Sequence, residues 1–478
     1  MGQNGGKYEY EAILARSFSR QDRKTMGWCA TLAIFIVIFT FCIFFKPYIS
    51  DDDENAAFPS PLSNLEVPMG DSFNLQATVH DVINIAPQPF SDPKIKEVKP
   101  VCEVNRRRSD ICDANGGDIR VVGSLSTIFV VSKVHSNIMS WNIRPYARKG
   151  DEAAMGGVRN FTVKQLHPSH QQTPACTRNH NVPAVLFSAG GYSGNVFHDF
   201  SDLLIPLYLT SREFAGEVQF LVTDVKRPSW TEKFKEALQR LSRYEIIDLG
   251  EKDGENAVLC FPRIIVGLKA NKEFSINPSS DHISMKNFTA FLRNAYDLKR
   301  DNIIANEKPQ PRLLVIARNK TRRLLNAGEV SAMAENLGFK VVVQETDRNM
   351  TKVSKLVNGF DIMVGVHGAG LTNMVFLPEN AVVVQIVGLG MDSIAKMDYE
   401  EPSLDMGLRY LSYKIGLNES SLKDEYPVGH EVLSNSSAIR VRGWKAFSAV
   451  YLNGQDVKVD VNRFRGTLLK ALQLLHAS

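Results

Sequence analysis

Apolar residues are distributed along the 478-residue chain in three regimes. Met26 to Phe45, MGWCATLAIFIVIFTFCIFF, is a run without charges, about 20 residues long, enough to span a bilayer as a helix. Residues 46–100 have little periodicity and are rich in Pro, Ser, Asp and Asn, as in a flexible stem. From Cys102 the apolar positions fall into short runs. Ile119–Val122, Thr127–Lys133 and Ser140–Arg148 read as short strands with turns between them. Pro183–Phe187, Val218–Val222, Glu245–Leu249 and Arg263–Leu268 read as further strands. Helical periodicity appears at Val196–Glu213, at Trp230–Ser242 (with Phe234, Leu238 and Leu241 on one face) and at Ser284–Leu298.

Asp301–Pro311 is polar and contains Pro309 and Pro311, a natural boundary. A second alternation follows. Strands are expected at Arg312–Ala317, Lys340–Gln344, Ile362–Val366 and Ala381–Val387. Helices are expected at Ala327–Leu337, ended by Gly338, and at Lys352–Val357. The last helix, Asn462–His476, is expected to cross back onto the first domain. Alternating strands and helices indicate parallel sheets covered on both faces. Two such doubly wound halves in series imply an α/β protein with a ligand cleft between them. The expected parts are a tail (1–25), a membrane helix (26–45), a stem (46–100), a Rossmann-like domain with a β-rich extension (101–308) and a second Rossmann-like domain (309–478).

Charge orients the apolar run. Lys7, Arg16, Arg20, Arg23 and Lys24 precede it, and Asp51, Asp52, Asp53 and Glu54 follow Lys46. Basic excess on the N-terminal side places the tail in the cytosol and the rest across the membrane, a type II anchor. The run is too long for a cleaved leader and lacks a small-residue cleavage site. Sequons at Asn160, Asn287, Asn319, Asn349, Asn418 and Asn435 suit that compartment. So does disulfide formation among Cys102, Cys112, Cys176 and Cys260, with Cys102–Cys112 the expected pair because its loop is short. The formal charge of +4 gives no argument for nucleic acid. No Cys or His cluster suggests a metal site, and the acidic run of the stem reads as solvated charge.

Three stretches could carry chemistry. In FDIMVGVHGAGLTNMVF, Phe360 to Phe376, a buried strand ends in His367, Gly368, Ala369 and Gly370. Leu371, Thr372 and Asn373 then open a short helix. Glycines allow close backbone approach, and free N–H groups with the helix dipole favour an anion. In GGYSGNVFHDFSDLLIP, Gly190 to Pro206, Asn195 is an expected helix cap. His198 and Asp202 then share a helix face, a pairing suited to general-base chemistry. In ARNKTRRLLN, Arg318, Arg322 and Arg323 follow a strand, and arginine forks suit phosphate oxygens. Two anion-binding features at the ends of one sheet suggest a diphosphate. The acidic and aromatic residues of Met397–Pro402 and Leu408–Tyr413 suit a sugar or ribose equally as they suit plain packing.

Taken together, Asn195-x-x-His198-x-x-x-Asp202, Arg318 with Arg322 and Arg323, and VGVHGAGLTNMVF resemble glycosyltransferase family 61 over about residues 100–478. The layout is similar to its plant Golgi members that decorate xylan. The resemblance implies a GT-B fold, inversion, and transfer of xylose or arabinose from UDP-xylose or UDP-arabinofuranose to backbone xylose of xylan. It implies Golgi residence and leaves room for a complex with other Golgi glycosyltransferases. Arg318, Arg323 and the His367–Asn373 turn would hold the diphosphate. His198 or Asp202 would take the proton of the acceptor hydroxyl, with the choice left open. Relatives often carry Gly-Pro before the histidine of the turn, where this chain has Val366. No D-x-D motif occurs in the globular part, so no metal or other cofactor is expected. A glycan on Asn319 would block the cleft, so that sequon is expected to stay bare. The same fold could instead transfer another sugar, such as N-acetylglucosamine, to a protein or N-glycan, or serve as a non-catalytic glycan-binding subunit.

Overall fold

The computed structural model describes residues 100–476 except 133–138, 168–172, 227–228, 252–253, 255–256, 304–309 and 346. The expected tail and membrane helix, and the stem up to residue 99, lie outside the described residues. Among the described residues, no helix is long and apolar enough to cross a membrane.

The first lobe is built on a ten-stranded sheet. Its strands are β1 (Val101–Glu103), β2 (Ile111–Val122), β3 (Thr127–Val131), β4 (Met139–Ile143), β5 (Phe161–Leu166), β6 (Arg178–Asn179), β7 (Ala184–Ser188), β8 (Gln219–Thr223), β9 (Ile247–Asp248) and β10 (Val258–Val266). The main path runs β4-β5-β3-β2-β10-β7-β8-β9. The parallel sheet expected for this half is therefore only its β10-β7-β8-β9 portion. β2 and β10 pair antiparallel, so the β-rich extension is continuous with the sheet. The strand expected at Arg263–Leu268 is the second half of a nine-residue strand that bends at a bulge between Phe261 and Arg263. Two disulfides hold this region. Cys102–Cys112 ties β1 to β2, and Cys176–Cys260 ties the segment before β6 to β10.

The second lobe is a five-stranded all-parallel sheet of β11 (Arg312–Ile316), β12 (Lys340–Gln344), β13 (Ile362–Val366), β14 (Val382–Val387) and β15 (Arg409–Lys414). Its order is β12-β11-β13-β14-β15. Every residue of β13 and β14 is buried, as continuous apolar runs require when both sheet faces are covered. The last helix, Val461–His476, packs on the Ala327–Asn336 helix and on β14 and β15. It thus lies on the second sheet, where the sequence had suggested a crossing to the first lobe. Its buried residues Phe464, Leu468, Ala471 and Leu475 form one stripe suited to that sheet.

The two lobes share one apolar core. Phe197 and Phe200 of the first reach Tyr399 and Phe376 of the second, each with ring centroids 5.9 Å apart. These edge-on contacts fix how the lobes meet beneath the cleft.

Two helices depart from the α form at chemically rich positions. The helix expected at Val196–Glu213 begins as α, widens to π over Asp199–Leu204, returns to α at Ile205–Ser211 and ends as a 3-10 turn. Ile205 N–H bonds Phe200 O, five residues back. Pro206 follows and has no N–H to offer the Asp202 carbonyl, so the α ladder cannot close there. The same arrangement recurs at Lys396–Glu400, where Glu401 N–H bonds Lys396 O and Pro402 stands four residues after Asp398. The first π segment bears Asp202, wholly buried behind His198, and the second bears Asp398, which lines the cleft between the lobes.

Candidate active site

A cleft of about 660 Å³ opens between the lobes. Arg148, Tyr192, His198 and Glu273 line it from the first lobe; Arg322, His367, Gly368, Ala369, Asp398 and Tyr399 line it from the second. Ile394, Met397, Trp444 and Leu452 give it an apolar rim. A larger groove of about 1010 Å³ lies elsewhere on the first lobe, along the ends of β8 and β9, and contains none of the residues considered below.

Asn195 caps the first helical turn by accepting from Phe197 N–H at 3.0 Å. His198 follows one turn later, with Nδ1 2.9 Å from Asp202 Oδ2. Asp202 is wholly buried and is the hub of the first-lobe wall. Its carboxylate also accepts from Arg148 (2.7 and 3.0 Å), Arg108 (3.2 Å) and Tyr146 OH (3.0 Å). Burial alone would raise its pKa. The hydrogen bond with His198 and the charge of Arg148 outweigh burial and hold it at about 2. Glu273 is the second anion of this network, bonded to Arg108, Arg148 and Ser201. Burial pushes its carboxyl up, but the two arginines bring it below the usual range.

Gly191 belongs to the turn for a steric reason. It has φ +51, and a Cβ there would lie 2.4 Å from the Tyr146 ring that bonds Asp202.

On the second lobe, Gly368 ends β13 with φ 147. A Cβ on it would lie 2.6 Å from Arg318 Nη1 and 3.3 Å from Arg322 Cζ, so both guanidiniums cover the glycine. Arg318 is steadied by Thr321, its Nε donating to the carbonyl at 2.8 Å. Arg322 sits in the left-handed region at φ 53, which costs a non-glycine residue roughly 1–2 kcal/mol. Burial and the neighbouring charge of Arg318 lower the Arg322 pKa to about 10. Arg322 Nε is buried and has no hydrogen-bond partner among the described residues. Two half-buried cations pressed together, with no carboxylate hydrogen-bonded to either among the described residues, are arranged for an anion that arrives from outside.

The turn continues as the short helix expected, of the 3-10 form and opening two residues earlier, at Ala369–Phe376. Its first N–H groups, from Ala369 and Gly370, lack helical acceptors. His367 is buried, and Gln385 Nε2 lies 2.7 Å from its Nδ1. Burial and the two arginines lower its pKa to about 3, so it is neutral and adds no charge beside them.

The structure thus brings together His198, Asp202, Arg318, Arg322, His367, Gly368 and Ala369. It places Arg323 otherwise: that side chain is half exposed and paired with Asp456, because the backbone turns at Arg322. Gly370, Leu371, Thr372 and Asn373 do not line the cleft. Leu371, Thr372 and Asn373 are buried, and a Cβ on Gly370 would meet Ile316 at 2.8 Å. Asn373 instead holds the turn by donating to Gly370 O at 3.0 Å. Arg108, Tyr146, Arg148 and Glu273 had not been singled out as site residues, whereas Asp398 falls in the acidic and aromatic stretch Met397–Pro402 that had been weighed for a sugar or ribose.

The sequence pattern of the family described as Glycosyltransferase 61 matches residues 196–384. The chain is 42% identical over 398 residues to the alpha-1,3-arabinosyltransferase XAT2 of Oryza sativa subsp. japonica, covering 81% of this chain and 67% of that protein. It is 42% identical over 407 residues to the beta-1,2-xylosyltransferase XYXT1 of the same organism, covering 80% and 86%. It is 30% identical over 466 residues to the xylan glycosyltransferase MUCI21 of Arabidopsis thaliana, covering 92% and 90%. His198 and Asp202, the arginine loop and the His367 turn all fall within the matched segment, and Asn195 stands immediately before it. On this identity and coverage, the chain belongs to the glycosyltransferase 61 family.

Proposed function

We propose that this protein is an inverting GT-B glycosyltransferase that moves a pentose, xylose or arabinose, from a UDP-sugar to backbone xylose units of xylan. The observation that carries the reading is the arginine pair over Gly368, of which Arg322 lines the same cleft as Gly368 and His198. Arg318, Arg322 and the Ala369 N–H group would bind the diphosphate. They would stabilise the negative charge that grows on it as the bond to the anomeric carbon breaks. The positive charge comes from side chains and amides, so we propose that no divalent cation is required. An acceptor hydroxyl would attack the anomeric carbon from the opposite face and pass its proton to His198 Nε2. Asp202 is ionised and engaged by several donors, which makes it the orienting partner and leaves His198 as the base. The relatives' names support the acceptor: they are an arabinosyltransferase, a xylosyltransferase and a xylan glycosyltransferase.

In this reading the uncharged run at residues 26–45 anchors the enzyme in the Golgi membrane with its catalytic lobes in the lumen, alone or with other Golgi glycosyltransferases. The test uses residues 46–478, xylan oligosaccharides, and UDP-xylose beside UDP-arabinofuranose, with products read by mass spectrometry. A pentose added to the oligosaccharide is the expected result. Transfer only to protein or N-glycan acceptors would displace the xylan reading. UDP binding without turnover on any donor would make the protein a non-catalytic subunit.

A further inference from the structure

The carboxylates of the cleft are not alike. Asp202 and Glu273 are met by the arginines described above. Asp151 accepts from Tyr192 OH at 3.0 Å and from Ala154 N–H. Asp398 accepts no hydrogen bond among the described residues. The nearest basic group to it is His367 Nε2, 3.8 Å from Oδ2, too far for a hydrogen bond. Yet the carboxylate is mostly buried and lines the cleft. Its position is set by the π segment that ends ahead of Pro402. Behind it, Gln385 accepts from Tyr410 OH at 2.5 Å and turns its amide N–H to His367 Nδ1. The imidazole therefore keeps its remaining proton on Nε2, toward Asp398.

In its ionised form this carboxylate has unmet lone pairs facing the cleft, so a ligand that binds it in that form must bring a donor, and such a donor in turn favours the ionised form. The diphosphate cannot supply one, since its oxygens are acceptors and share the negative sign. Sugar hydroxyls can. Asp398 stands between the groups that would grip phosphate, Arg322 and His367, and those of the acceptor-side wall, Arg148 and Glu273. The transferred ring must occupy that interval if the diphosphate lies on one side and the base on the other.

We propose that Asp398 accepts hydrogen bonds from the hydroxyl groups of the donor's pentosyl ring and so helps select which UDP-sugar is used. The proposal rests on the reading of the cleft as a UDP-sugar site. Burial, followed by the charge of Glu273, raises the Asp398 carboxyl to about 7, consistent with lone pairs short of donors.

The test compares wild type with Asp398→Asn by titration calorimetry against UDP and against UDP-xylose and UDP-arabinofuranose. UDP should bind both proteins within about twofold. The preferred UDP-pentose should bind the variant about ten- to a hundredfold more weakly, as expected on losing charge-assisted hydrogen bonds, and its KM should rise in parallel. An equal loss for UDP, in a variant with an unchanged melting temperature, would move Asp398 to the ribose or the base and overturn the proposal. Unchanged UDP-pentose binding would also overturn it while leaving the reading of the cleft intact. Wild type that binds neither UDP nor a UDP-sugar would remove that reading and the proposal with it. Asp398→Ser, read in the same titrations, decides the matter if the asparagine variant does not fold.

Discussion

His198 Nδ1 lies 2.9 Å from Asp202 Oδ2, and this contact assigns both nitrogens of the imidazole. Asp202 is held ionised and can only accept, so Nδ1 carries a proton. In the neutral imidazole Nε2 then keeps the lone pair, which is the form a general base requires. His198→Ala should lower transfer by about 10²–10⁴-fold, the usual worth of such a base. UDP affinity should change less than about twofold, because His198 is not among the groups that cover Gly368. Steady-state transfer with calorimetry on the same preparation checks this. A variant that keeps most of its rate would remove His198 from the role.

Asp202→Asn should act first on stability. The substitution removes the charge that Arg148 and Arg108 share with Glu273. Breaking a buried ion network from one side costs about 3–5 kcal/mol. The Asp202 pKa lies below its unfolded value of 3.8, so its stabilisation is present above about pH 4 and is lost as pH falls toward 2. Thermal melts from pH 2 to 7 should show the two proteins converging at the acid end. Equal separation across the whole range would contradict the assignment.

On the proposed reading, the arginine loop separates a ligand residue from a structural one. Arg322→Ala should weaken UDP binding about ten- to a hundredfold, since charge-assisted hydrogen bonds are worth roughly 1.5–3 kcal/mol each. Arg323→Ala should leave UDP binding unchanged and barely move the melting temperature, as for an exposed ion pair. Calorimetry and melting of both variants decide between this arrangement and one in which all three arginines bind phosphate.

Much of this was legible in the sequence, for identifiable reasons. The apolar runs of the second lobe gave β12 and β13 to the residue: β13 is a fully buried parallel strand with no alternation to confuse, and β12, an edge strand with no buried residue, is marked by its run of three valines. The His198–Asp202 pair and the His367 turn are local patterns, so spacing alone exposed them. Arg148 and Glu273 were not legible: Arg148 lies 54 residues from Asp202 and 125 from Glu273, and no periodicity links them. Arg323 looked equivalent to Arg322 because the left-handed residue that turns one away from the other has no sequence mark when it is not glycine. The first sheet was underestimated because its antiparallel half reads as isolated short strands. One signal was present and unused. Asp202 and Asp398 each precede a proline by four residues, and that spacing denies an α bond to the carboxylate residue's own carbonyl.

Asp398 also sets a pH dependence opposite in sign to that of Asp202. Its folded pKa of about 7 lies above the unfolded 3.8. The folded state therefore holds a proton that the unfolded chain has lost, and stability falls as pH rises from about 4 through 7. Glu273, Arg148, Arg322 and His367 face it, and burial is the largest cause. His367 runs the other way, losing stability as pH falls from 6.5 toward 3, but it is common to wild type and Asp398→Asn. The variant should thus gain on wild type as pH rises across this window, by on the order of a few kcal/mol. Urea unfolding without ligand at pH 5, 6 and 7 measures this. A constant difference would mean that Asp398 ionises normally.

Gly368→Ala isolates the close approach at the centre of the site. An added Cβ would meet Arg318 Nη1 at 2.6 Å and Arg322 Cζ at 3.3 Å. Both contacts fall on the ends of side chains, so the arginines can yield while β13 stays in place. The backbone at φ 147 adds a conformational cost of about 1–2 kcal/mol to the alanine. The melting temperature should drop modestly, whereas UDP affinity should fall at least about tenfold, because two guanidiniums are displaced and the turn's N–H groups are screened by a methyl group. Arg322→Ala combined with Gly368→Ala should then lose less than the sum of the two single losses, since both remove one arrangement. Full additivity in that double-mutant cycle would show that the glycine and the arginine serve separate ligands.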